Sequence, residues 1–265
     1  MKKEYNLQCY ATRTIVGRKH GFTLIELLVV ISIIALLLAI LMPALQRVRQ
    51  EARAVVCQAH LREWGLAIKM YADDNNGYFM KGGTGAQWFK TLEPYYTDKN
   101  LILCVEATKP ATAPSSSPTG GDYLFGSTRK AWSYGGHLGS YGLNMWVLNR
   151  PPGESLWGRG PTEQCWRTPY VKKANNIPVF ADCTWAGTQP KYCDEPPQYE
   201  GDPSASYLAR FCIDRHNGYI NGCFCDFSVR EIGLKELWRL KWHRNFDVTA
   251  DRPVWPRWMR NLKDY

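Results

Sequence analysis

Glu26 is the residue whose position most needs explaining. It is the fifth residue of Phe22–Leu45, a run of 24 residues in which Thr23, Glu26 and Ser32 are the polar members. As a helix rising about 1.5 Å per residue, that run would reach about 36 Å, enough to cross the ~30 Å hydrocarbon core of a bilayer. An ionised carboxylate inside such a helix costs at least a few kcal/mol, so an intramembrane acid implies a function and a cationic partner. An ordinary anchor or export signal has no use for Glu26.

The other residues with chemical potential are histidines, acids and cysteines. His216 and Asp226 stand with nine residues between them in the segment 215–232. If Ile220–Cys225 is extended, about 20 Å of strand separates them at ~3.3 Å per residue, whereas ligands of one ion must lie within about 2.5 Å of it. No joint metal site is expected. Asp226 is read as starting a turn and His216 as satisfying backbone groups in a loop. Nine cysteines are many for 265 residues; with Cys9 near the N-terminus set aside, the remaining eight are compatible with up to four disulfides in an oxidising compartment. Cys223 and Cys225 lie on one strand face and are expected to pair with other cysteines, Cys212 being near in sequence. No C-x-x-C pair is present to favour a zinc ribbon or a thioredoxin-like site. The acidic spots Asp73-Asp74 and Asp194-Glu195 lack the ordered oxygen-ligand spacing of a calcium loop. The sequence holds no G-x-S-x-G elbow, P-loop, dinucleotide fingerprint or H-E-x-x-H, and its five histidines are scattered. A non-enzymatic protein is expected.

The elements that must position these residues start with the membrane run. Residues 1–21 carry five Lys/Arg and one acid, +4 of the formal +9, and the rest of the chain holds 28 basic and 23 acidic residues without a long basic run. Clustering, not total charge, makes a phosphate-binding surface, so nucleic-acid binding is not expected. The basic flank instead keeps the N-terminus cytoplasmic and sends the residues after Leu45 outside. Pro43 sits inside the run and should bend the helix axis. Residues 46–72 continue with helical spacing of Val48, Ala52, Val55, Val56, Ala59, Trp64, Ile68 and Tyr71, read as the stripe that lies on a head. Asp73-Asp74-Asn75-Asn76-Gly77 ends the helix. Beyond Tyr78, short apolar runs alternate with turn signals and two loop-like stretches, 107–122 and 149–163. Leu101–Val105, Pro178–Ala181, Cys223–Cys225 and Val229–Ile232 are the candidate strands, and 234–243 a closing helix. The fold class is α+β: a long N-terminal helix packed on a small antiparallel sheet. The eleven tryptophans are expected to be buried.

The stretch Gly21-Phe22-Thr23-Leu24-Ile25-Glu26 resembles the class III signal of the type IV pilins and pseudopilins. The resemblance implies that a prepilin peptidase cuts after Gly21 and methylates the new amine of Phe22. It also implies that Glu26 neutralises the terminal amine of a neighbouring subunit, which would supply the missing cation, and that Pro43 is the helix-kinking proline. A buried pair of that kind adds little stability but penalises misregistered neighbours. Residues 17–80 and 215–232 also resemble a bacterial group of pseudopilin-like proteins ending in an H-x9-DG segment. Here His216 and Asp226 match, and Phe227 replaces the glycine, so the turn should change type or contain a bulge. The implied organisation is a leader over 1–21, a membrane and filament-core helix over 22–45, its amphipathic continuation over 46–75 and an extracytoplasmic head over 76–265. The implied partners are prepilin peptidase, other pilin or pseudopilin subunits and an inner-membrane assembly platform, with no cofactor. Some related pseudopilins bind calcium in head loops; no residues here mark such a site. The leading expectation is a structural subunit of a type II secretion pseudopilus or a type IV pilus-like filament. The alternatives are a minor or tip pilin for adhesion or DNA uptake, and an anchored glycan-binding module that uses the signal only for export.

Overall fold

The computed structural model describes residues 23–82, 87–111, 123–202 and 206–265. They fall into two units that divide between Arg47 and Val48. A single helix, α1, spans Leu24–Asp74 and contributes to both.

In the first unit α1 is apolar on every side. Its large side chains from Leu24 to Leu45 are exposed, and this is the one helix among the described residues long and apolar enough to cross a membrane. The hydroxyl of Ser32 donates to the Val29 carbonyl at 2.8 Å, which satisfies it without water. Pro43 lies inside the helix and does not end it.

The second unit is a head of mixed sheets packed on the rest of α1. A short helix, α2 (Trp88–Thr91), precedes the strands, nine among the described residues: β1 Lys109–Pro110, β2 Tyr123–Leu124, β3 Lys130–Tyr134, β4 His137–Gly139, β5 Tyr141–Asn144, β6 Pro178–Asp182, β7 Gly187–Thr188, β8 Tyr219–Phe224 and β9 Val229–Gly233. The larger sheet has the order β7-β5-β6-β8-β9, and the smaller one groups β1, β2 and β4 around β3. Two pairings, β1 with β3 and β5 with β7, are parallel, so the head is mixed where an antiparallel sheet was expected. The apolar run of β6 is wholly buried because it is central, with β5 and β8 on its two sides. Pro178 is tolerated there as the first residue of the strand.

Three expected elements differ. Leu101–Val105 is not a strand: Lys99–Ile102 forms a 3-10 turn, capped by Asp98, whose side chain accepts from the Asn100 N–H. β8 ends at Phe224, leaving Cys225 in the hairpin loop, and the closing helix is a 3-10 segment, Leu234–Arg239. Tryptophans form much of the core. Trp64, Trp88, Trp132, Trp146, Trp238 and Trp242 are buried. Each donates its indole N–H to a main-chain carbonyl, so bulk is buried without stranding a donor.

The stripe by which α1 meets this head keeps Trp64 and Ile68 of the expected one, with Tyr71 half-buried, but none of its earlier members. The residues buried are Ala54, Cys57, Leu61, Trp64, Gly65, Ala67, Ile68 and Ala72. Val48, Val55 and Val56 are exposed, as are Ala52 and Ala59, and Leu66 and Met70 continue the same outward row. The helix is therefore apolar on two sides. At Gly65 the helix packs close against β8: a Cβ there would lie 2.9 Å from Cys223 Sγ.

Candidate functional site

Glu26 makes a contact inside its own chain that its place in an apolar helix does not by itself imply. Thr23 is the residue before the helix and Glu26 the third within it. Both the N–H and the hydroxyl of Thr23 donate to Glu26 Oε2, at 2.8 and 2.7 Å, and the Glu26 N–H donates back to Thr23 Oγ1 at 3.3 Å. This reciprocal arrangement is a capping box, which satisfies helix donors that have no intrahelical acceptor. The T-x-x-E spacing ahead of an apolar run was its signal in the sequence. Both contacts use one carboxylate oxygen, and a carboxylate has about four acceptor positions, so capping leaves capacity for a cation. Gly21 and Phe22 lie outside the described residues.

In the head, His216 and Asp226 are not brought together. Asp226 sits in the β8–β9 hairpin loop, where Oδ1 accepts from the Ser228 N–H at 3.0 Å and from its hydroxyl at 2.6 Å. The Phe227 N–H closes a turn onto Phe224 O at 2.9 Å. Phe227 then takes φ +64°, the left-handed conformation of a bulged hairpin that glycine adopts freely. Asp226 thus starts a turn as expected, and Phe227 accepts the backbone strain that glycine would avoid.

His216 does far more than serve a loop. Its side chain is buried, and its Nε2 lies 3.2 Å from Asp182 Oδ2 at the end of β6. Asp182 Oδ1 accepts from Arg215 at 2.9 Å, and Oδ2 also accepts from the Asn221 N–H at 2.8 Å. Arg215, fully buried, donates further to the carbonyls of Ser127, Thr128 and Ser140, tying the strand connections to the sheet. Burial opposes ionisation of Asp182, but His216 and Arg215 beside it hold the carboxyl down at about 2. Burial likewise disfavours the imidazolium, but Asp182 raises His216 to about 10. The three groups form a closed ionic cluster with its hydrogen bonds largely met, the condition under which buried charge is tolerated.

Two cysteines adjoin it. Cys57 on α1 and Cys104 on the head are fully buried with their Sγ atoms 2.7 Å apart, and Cys104 Sγ lies 3.7 Å from His216 Nε2. The Cys104 thiol, with His216 beside it, lowers the Cys57 thiol below its usual range, while burial pushes Cys104 up. Among the described residues, Cys57, Cys104 and His216 bring their donor atoms within 4.8 Å of one another, the spacing of a candidate metal site. Sequence reasoning missed Asp182 and Arg215. An acid closing an apolar strand and an arginine next to the motif histidine were the available signals.

The described cysteines stand as thiols, so the expected framework of up to four disulfides is not confirmed. Cys212 faces Met259 Sδ at 3.8 Å and Cys223 faces Phe224 O at 3.7 Å, so these two are not set against each other. The acidic spots serve the fold: Asp73 pairs with Lys69 at 2.6 Å, Tyr95 donates to Asp74, and Asp194 binds Arg159 together with two backbone N–H groups.

A long apolar N-terminal helix and a mixed-sheet head make an α+β architecture consistent with a pilin fold. Residues 17–42 match the prokaryotic N-terminal methylation motif. The chain is also 50% identical over 58 residues to the type IV wide pilus major component PilA4 of Thermus thermophilus, a match covering 22% of this chain and 44% of that protein. No solved structure matches. This N-terminal segment is similar to that of type IV pilins, and with its long apolar helix it fits a membrane-anchored protein.

Proposed function

We propose that this chain is a filament subunit, cut by a prepilin peptidase between Gly21 and Phe22, methylated at Phe22 and stacked through α1 into a type II pseudopilus or type IV pilus-like fibre. The observation that carries the reading is the conjunction of the methylation motif at residues 17–42 with an apolar run, Phe22–Leu45, whose single acid is Glu26. In this account the head lies outside the membrane, and Glu26 pairs with the Phe22 ammonium of the adjoining copy while still capping its own helix. Such a pair acts on register, because a copy displaced by one turn leaves two charges unpaired in hydrocarbon.

The outward row Val48, Ala52, Val55, Ala59, Leu66 and Met70 supports the same reading. It recurs at three- and four-residue steps, interrupted at Glu63, and is exposed in the isolated chain. A helix facing water on that side has no need of it, whereas a helix packed among copies of itself does. The assembly would be head-to-tail, through heterologous contacts. The test is mass spectrometry of native material together with sheared-filament recovery. An N-terminal peptide starting at a methylated Phe22, in protein recovered from filaments, is the expected result. A retained leader or a different first residue would end the reading.

A further inference from the structure

We infer that Cys57 and Cys104 form a disulfide that ties α1 to the head once the protein has been exported. The inference rests on the filament-subunit reading for its compartment, since an oxidising exterior is where such bonds form and persist.

The geometry is over-determined. Helix and loop run in opposite directions past one another, with contacts on both sides of the two cysteines. Arg53 pairs with Glu106 at 3.1 Å, His60 Nδ1 meets Leu103 O at 2.9 Å, and Trp64 Nε1 donates to Leu101 O at 2.9 Å. Cys57 and Cys104 fall in register between the first of these contacts and the other two. Their Sγ separation of 2.7 Å is far below the ~3.5–4.0 Å at which even smaller carbon atoms rest in contact.

A metal fits this donor set poorly. Two thiolates on one tetrahedral zinc, each about 2.3 Å from it, stand about 3.8 Å apart, well beyond the 2.7 Å found. The ring nitrogen that His216 presents to Cys104 is also the one that faces Asp182. Other buried cysteines meet different groups: Cys183 accepts from the Trp185 N–H at 3.4 Å, and Cys212 faces a thioether.

The step is a thiol–disulfide exchange with an extracytoplasmic disulfide-bearing oxidant, before the core closes. The Cys57 thiolate attacks one oxidant sulfur and breaks its S–S bond, giving a mixed disulfide. Cys104 then displaces the oxidant, forming the Cys57–Cys104 bond. Two electrons and the two thiol protons leave with the oxidant as its dithiol.

The experiment is non-reducing peptide mapping of full-length native protein, alkylated at harvest and acid-quenched, with the N-terminal peptide read in the same run. Expected is a cross-linked peptide pair carrying Cys57 and Cys104, two hydrogens lighter than the dithiol and abolished by reductant. Wild-type Tm should fall by about 10 °C on reduction, and Cys57→Ser/Cys104→Ser should show no further fall. Alkylation of both thiols in leader-free protein overturns the inference and leaves the filament reading intact, as does either cysteine linked elsewhere. Zinc retained by both thiolates in native mass spectrometry overturns it too. A retained leader with the cross-link present sinks the filament reading alone; a retained leader with both thiols alkylated sinks both.

Discussion

Glu26 caps its own helix and, in the proposed filament, pairs with a neighbouring ammonium, two roles that substitution can separate. Glutamine at the third helical position still closes a capping box, whereas alanine does not. Glu26→Gln should therefore be processed normally yet enter filaments as poorly as Glu26→Ala, because both lack the charge. Thr23→Ala, which keeps the charge and removes the cap at a cost of about 1 kcal/mol, should assemble nearly as wild type. Filament recovery normalised to processed subunit decides between charge and cap. In the head, Asp182 is partner to both His216 and Arg215, so Asp182→Asn leaves a buried guanidinium uncompensated and should cost about 3–5 kcal/mol. The pH dependence has two arms. Held at about 2 in the folded head, against about 3.9 unfolded, Asp182 contributes stability above pH 4 that is lost as pH falls through 2. His216, raised to about 10, contributes stability that is fully present below about pH 6.5 and lost as pH rises through 10. Urea midpoints across pH should show both declines in the wild type and flatter arms in Asp182→Asn.

At the scale of the element, α1 has two apolar faces with opposite duties. The face carrying Leu61, Trp64 and Gly65 is spent on the head. Glycine in a helix interior costs about 1 kcal/mol relative to alanine, so its presence at 65 needs a reason, and the approach to Cys223 supplies one. Gly65→Ala should destabilise the head by about 1 kcal/mol, the clash outweighing the helix-propensity gain, measurable as a lower urea midpoint. Val55 is on the other face and exposed. Val55→Glu should change head stability by less than about 0.5 kcal/mol but lower filament recovery several-fold; unchanged recovery would show that the outward row has no part in assembly.

Across the whole molecule, the proposed bond between Cys57 and Cys104 would close a loop of 47 residues. Closure of that length restricts the unfolded chain by roughly 4 kcal/mol on the chain-entropy account. A head whose loops are long and whose strands are short gains from such a constraint. The polar cluster of Asp182, Arg215 and His216 serves the same end by joining β6, the approach to β8 and the carbonyls of Ser127, Thr128 and Ser140.

The sequence by itself determined the apolar helix, its misplaced acid, the helix terminator after Ala72 and the strands β6 and β9. Each of these is written in neighbouring residues, as composition, hydropathy or turn chemistry. Tertiary structure alone decided which side of α1 turns inward, because two apolar rows satisfy the same periodicity and only the shape of the sheet selects one. It also decided that His216 is an ion-pair partner and that Cys57 meets Cys104. Those contacts join residues far apart in the chain, and no local pattern records which distant group the fold will set beside them.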